Sequence, residues 1–222
     1  MKPKLPIAEL LVLLVVALPF LYLLKVYPTL PPKVPTHFGI NGQPNDYSNR
    51  SFLWVTTSIL AGISIFVYLL IRFLPRIDPK KKAKYSATVF NKIAVAIVLL
   101  MSLIGCYSIY AAIARSFQLR GFLPVILGIF FAFMGNLMHS IKPNYFVGIR
   151  TPWTLENEET WRKTHQLGGK LWFGGGILIA ITGFLVPPRA EVFVMMSILI
   201  VIVLWPVIFS YTYFKSLERI AG

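Results

Sequence analysis

Six apolar runs, spread along the whole chain, constrain the fold more than any other feature. They lie at 7–24, 51–71, 93–114, 121–138, 171–186 and 192–214. A run of about 18 apolar residues crosses a hydrocarbon core of roughly 30 Å as a helix. Such runs must be helical, because lipid offers no partner to backbone N–H and C=O groups. With 56% hydrophobic and only 14% charged residues, no stretch is left for a separate soluble domain. The expected fold is therefore all-α: a polytopic membrane protein with six transmembrane helices and both termini cytoplasmic. The run at 171–186 is the shortest and carries the Gly174-Gly175-Gly176 triplet. It extends backward past Lys170 if that lysine snorkels. The first run reads as a retained span, since it outlasts an ordinary signal-peptide core and no small-x-small site closes it.

The distribution of charge sets the expected orientation. The net charge is +14, from 22 Lys and Arg against 8 Asp and Glu. With the N-terminus inside, 16 of those 22 cations fall on the inner side and 6 on the outer. That is the positive-inside bias of an inserted membrane protein rather than a nucleic-acid footprint. Lys80-Lys81-Lys82 with Lys84 also suits an anionic inner leaflet. The single cysteine, Cys106, lies within the third run and reads as a small hydrophobe.

Two substantial loops are expected on opposite sides of the membrane. The outer one, 28–50, opens with Pro28, Pro31, Pro32 and Pro35, which favour an extended entry. Asn41-Gly42 then offers a tight turn. The inner one, 139–170, is broken early by Pro143 and Pro152. Thr154 is the expected N-cap of a short helix reaching about Gln166, with Gly168-Gly169 ending it. Trp153, Trp161 and Trp172 suit a helix at the membrane interface. The expected division is an N-terminal two-helix domain at 1–75 and a four-helix membrane domain at 76–222.

No pattern of catalysis emerges, and no cofactor is expected. Neither HExxH nor a CxxC pair is present, and topology separates His37 from His139 and His165, so no metal site is assigned. No carboxylate sits at a span centre, where proton-coupled carriers place theirs. The polar residues gather instead in the two loops, which loops held by rigid helices often use for binding.

At these two patches the sequence resembles the SdpI family of bacterial membrane immunity proteins. The inner string runs from Gly135-Asn136 through Lys142-Pro143-Asn144-Tyr145-Phe146-Val147-Gly148-Ile149-Arg150-Thr151-Pro152-Trp153-Thr154. It continues with Glu158, Trp161, Lys163-Thr164-His165 and Gly168-Gly169-Lys170. The outer loop is similar to the domain of unknown function that precedes it in such proteins, at Leu30-Pro31, Val34-Pro35, His37-Phe38, Gly42 and Pro44. Where that family usually has Pro-Asp, this chain has Pro44-Asn45, with Asp46 one place later. The resemblance implies a multi-pass protein of the bacterial cytoplasmic membrane that gives resistance to a secreted peptide toxin. It also implies a toxin-sensing receptor that captures a soluble ArsR-type transcriptional repressor at the membrane, without binding nucleic acid itself.

On this reading the toxin-sensing candidates are His37, Phe38, Gly39, Asn41, Gly42 and Asp46. The candidates for a cytoplasmic docking surface or a structural latch are Lys142, Pro143, Asn144, Gly148, Arg150, Thr151, Pro152, Trp153, Glu158, Trp161 and His165. Arg150 is expected to make several fixed hydrogen bonds through its guanidinium fork. Two rivals stay open. A peptide transporter or channel would show a polar stripe lining a cavity between spans. A membrane enzyme acting on lipid or cell wall would bring His139, His165, Arg150 and Glu158 together.

Overall fold

The computed structural model describes residues 7–39, 43–77, 87–114 and 121–221. The tight turn expected at Asn41-Gly42, the basic run Lys80–Lys84 and the outer connection 115–120 lie outside them. Among the described residues the helices are α1 (Ile7–Val26), α2 (Phe52–Ile77), α3 (Ala87–Ala114), α4 (Phe122–Met138), α5 (Pro152–Glu156), α6 (Glu158–Leu185) and α7 (Pro188–Ala221). Five of these are long and apolar enough to cross a membrane, and α4 is a shorter apolar helix of 17 residues. The all-α polytopic membrane fold read from the six runs is the fold observed.

One β element interrupts it. β1 (Lys33–Phe38) and β2 (Pro44–Asn49) form an antiparallel pair, with Lys33 opposite Asn49 and Phe38 opposite Pro44. The proline-rich entry is thus extended as a strand edge, and a register irregularity surrounds His37. Val34 is fully buried and joins Leu23, Leu30, Leu53, Ile109 and Ala112 in a core that seats the hairpin on α1, α2 and α3. Arg50 fastens its base. The guanidinium donates to the Leu30 carbonyl at 3.1 Å and the Tyr27 carbonyl at 3.4 Å, and lies over the Tyr27 ring.

α6 departs from the sequence expectation. The helix expected to end at Gly168-Gly169 instead continues from Glu158 through all six of its glycines to Leu185. The physical reason is packing. Gly121, Gly128 and Gly135 recur every seven residues on α4 and its N-cap, as Gly169, Gly176 and Gly183 do on α6. Run antiparallel, they meet in pairs. A Cβ on Gly128 would lie 2.5 Å from the Gly176 carbonyl oxygen, and one on Gly135 would lie 2.7 Å from that of Gly169. Without a hydrophobic drive between helices in lipid, close backbone approach of this kind is what holds them together. A second departure concerns capping. Thr151 and Asn157, not Thr154, are the N-caps of α5 and α6. Thr154 occupies the third helical position of a reciprocal capping box, its hydroxyl accepting from the Thr151 N–H at 2.9 Å.

Proline leaves carbonyls without their helical donor, and neighbouring helices supply one. Pro19 frees the Val15 carbonyl, which accepts from the Ser102 hydroxyl of α3 at 2.7 Å. Pro206 frees the Ile202 carbonyl, which accepts from the Trp172 indole of α6 at 3.0 Å. Pro187 follows the end of α6, and the Gly183 carbonyl accepts from the Gly121 N–H at 2.9 Å. In hydrocarbon no water would replace these donors. Trp172→Phe should therefore cost about 1 kcal/mol, a usual size for an interhelical hydrogen bond in a membrane. In a Pro206→Ala background the cost should shrink, because the restored backbone N–H serves the same carbonyl. A double-mutant cycle of thermal unfolding in detergent measures it. Equal costs in both backgrounds would reduce the indole to a packing group.

Candidate functional site

The two polar patches occupy opposite ends of the bundle. At the end expected to face outward, His37 is exposed on β1 and its Nδ1 donates to the Asn45 side-chain oxygen at 2.5 Å. Asp46 is exposed beside it, one carboxylate oxygen accepting from the Tyr47 N–H at 2.8 Å. Phe38 and Gly39 are half-buried, and the Gly39 N–H bonds to the Gln43 carbonyl at 2.9 Å. Asn41 and Gly42 lie outside the described residues. The hairpin thus presents an imidazole, a carboxamide and a carboxylate together on a seated, exposed edge.

At the inner end the sequence motif folds as a latch. Asn144, 4% exposed, closes a turn on itself. Its side-chain oxygen accepts from the N–H groups of Phe146 and Val147, both at 2.8 Å. Its amide donates to the carbonyls of Lys142 at 2.9 Å and Val147 at 3.0 Å. These four bonds use both acceptor sites and both donors of the asparagine, a set no other residue of this size supplies.

His165 locks the next stretch. Its Nε2 accepts from the Ile149 N–H at 3.0 Å, so that nitrogen carries no proton. Nδ1 then donates to the Trp161 carbonyl at 2.8 Å, which sets the neutral tautomer. The ring stacks on Trp161 with centroids 4.1 Å apart, and Trp161 donates through its indole to the Ile141 carbonyl at 2.9 Å. Gly148 makes the approach feasible: its φ is +117°, and a Cβ there would lie 2.4 Å from the His165 Nε2. Trp161 joins Ile71 and Leu74 of α2, Phe90 and Ile93 of α3, and Leu137 of α4 in one core. The latch therefore ties the two halves of the bundle at this end.

α7 is fastened to the same loop. Trp153 donates through its indole to the Ser210 hydroxyl, which also lies 3.3 Å from the Thr151 hydroxyl. Ser210 is fully buried. Sequence reasoning missed this anchor, since a lone serine in an apolar run carries no local signal. Sequence reasoning missed the glycine spacing on α4 and α6 as well, although that spacing is visible in the sequence.

The inner candidates thus separate by burial. Asn144, Thr151, Trp161 and His165 are buried, while Pro143 and Trp153 are half-buried. Lys142, Arg150, Pro152 and Glu158 are exposed. Arg150 donates to the Tyr145 carbonyl at 2.6 Å and otherwise faces outward, rather than forming the several fixed bonds expected of it. Both nitrogens of His165 are committed to backbone, which leaves neither for a metal or a substrate proton.

Residues 140–211 match the model of the SdpI/YfhL protein family. Residues 14–61 match that of a domain of unknown function, DUF1648. The chain is similar to "Immunity protein SdpI" of Bacillus subtilis (strain 168), at 24% identity over 207 residues, covering 93% of this chain and 95% of that protein. No solved structure matches it.

Proposed function

We propose that this chain is a multi-pass bacterial membrane protein of the SdpI/YfhL family and a non-enzymatic immunity protein against a secreted, membrane-active peptide. The observation that carries this reading is the extent of the likeness to an immunity protein, which spans both the hairpin and the latch rather than one motif. The exposed hairpin edge around His37 and Asp46 is the proposed toxin contact. Its seating on α1, α2 and α3 gives a bound peptide a rigid path to the opposite end.

We further infer a division of labour. If the protein also reports the toxin to a soluble repressor of the ArsR type, docking falls to the exposed residues Arg150, Pro152 and Glu158. Trp161 and His165 are too buried to touch a partner in this arrangement. A ligand at one end can alter docking at the other only by favouring one arrangement of the connecting helices.

The test is expression in a toxin-sensitive host, with survival measured across a panel of membrane-active peptides. His37→Ala should keep normal membrane abundance and lower the protective threshold about tenfold, the effect of roughly 1.4 kcal/mol of lost binding. Arg150→Ala should keep survival and reduce recruitment of the repressor to membranes. Unchanged survival in the His37 variant would remove the hairpin from recognition and leave the spans as the toxin contact.

A further inference from the structure

Among the described residues, two helix faces are left without a protein partner. α4 turns its glycines toward α6, which leaves Ile129 and Phe133 on another side. α3 packs on α1 and α2 and presents Val95 and Leu99 toward those α4 residues. Between them runs a groove of about 570 Å³. Its walls are apolar except at one end, where Thr88, Asn91 and Lys92 line it. That end lies at the level of the latch, because Phe90 and Ile93 of the same helix turn pack in the core with Trp161.

We propose that this groove holds one anionic phospholipid, with an acyl chain along Val95, Leu99 and Ile129 and the phosphate on Lys92. The pattern is that of an amphiphile: one cation and two hydrogen-bonding side chains at a mouth, and hydrocarbon beyond. From Lys92 to Leu103 the groove follows α3 for about 16 Å, at 1.5 Å per residue, enough for most of an acyl chain. Lys92 is exposed, and among the described residues it has no carboxylate partner and no acidic side chain lines the groove. The sequence just before α3 adds Lys80, Lys81, Lys82 and Lys84, each of which draws an anionic leaflet closer. A peptide is the poorer occupant. An extended peptide's backbone would need polar partners along the groove, and the walls offer them only at the mouth, whereas an acyl chain needs none.

The experiment uses the full-length protein in mild detergent, offered an equal mixture of phosphatidylglycerol and phosphatidylcholine, with retained lipid counted by native mass spectrometry. One phosphatidylglycerol should be retained in about tenfold preference, the ratio of a 1.4 kcal/mol difference. Lys92→Gln should abolish the preference and Lys92→Arg should keep it. Ala96→Phe, which fills the groove, should reduce retention of both lipids; Leu99→Trp at the exposed rim gives the same test if the first variant does not fold. Glycerol phosphate, which has no acyl chain, should not compete. An unchanged preference in Lys92→Gln, undiminished retention in both filled variants, competition by glycerol phosphate, or a peptide retained in the groove in place of lipid would each overturn the proposal.

Discussion

Gly176→Ala is expected to strip most of the folded protein from the membrane, whereas Gly174→Ala, two residues away, should leave it in place. The two glycines have the same local sequence and opposite surroundings. A Cβ on Gly174 meets nothing within 4 Å, and alanine there gains up to about 1 kcal/mol of helix propensity. A Cβ on Gly176 would lie 2.4 Å from the Ala132 nitrogen and 2.5 Å from the Gly128 carbonyl oxygen. Both are backbone atoms of α4, so no side chain can rotate away and the helices must part. Overpacking of that kind costs about 1–3 kcal/mol or more, and parting the helices also loosens the Gly135–Gly169 contact one heptad along. Gly175→Ala falls between, since its nearest obstacle is the Ile202 side chain at 2.6 Å. Membrane abundance and melting temperature in detergent rank the three. Equal stability of the 174 and 176 variants would refute the proposed α4–α6 contact.

The triplet shows what the sequence made legible and what it hid. Apolar length alone located the helices, because lipid permits few alternatives for a backbone without partners. The paired seven-residue glycine spacings at 121, 128, 135 and 169, 176, 183 were equally readable as an antiparallel contact, yet Gly168-Gly169 resembles a helix stop when read alone. The ambiguity is physical. Glycine ends helices in water by adopting positive φ, and in lipid it joins them by lacking a side chain. The capping error has a similar origin, for Thr151, Thr154 and Asn157 are all competent caps, and tertiary contacts to Ser210 and Ile149 decide among them. The inner motif carries the resemblance to the family but does not say which of its residues face outward. Trp161 and His165 look like a polar–aromatic binding surface in sequence; the path of α6 past Phe90 and Leu137 buries the indole, and the indole with the Gly148–Ile149 backbone covers the imidazole.

That burial gives the inner motif its most testable property. His165→Ala should lower stability by about 3 kcal/mol. The variant leaves the Ile149 N–H without its acceptor, an orphan worth about 1–3 kcal/mol, and opens a cavity beside Trp161. The loop 139–157 should then become protease-sensitive, and survival, recruitment and abundance should fall together. Gly148→Ala attacks the same contact from the other side, through a Cβ at 2.4 Å from the His165 Nε2 and a φ of +117° that alanine tolerates poorly. Because both changes act on one contact, they should not add. Removing the imidazole relieves the steric part of Gly148→Ala and leaves only the backbone strain, so the double variant should be more stable than the sum predicts. Arg150→Ala, at the exposed rim of the same loop, should melt like the parent. Melting temperatures of the four variants, with proteolysis of the loop as a local probe, distinguish a latch from a docking surface. A His165→Ala protein that melts normally but no longer recruits a cytoplasmic partner would show that the buried imidazole must emerge to bind, and the latch would then be a switch.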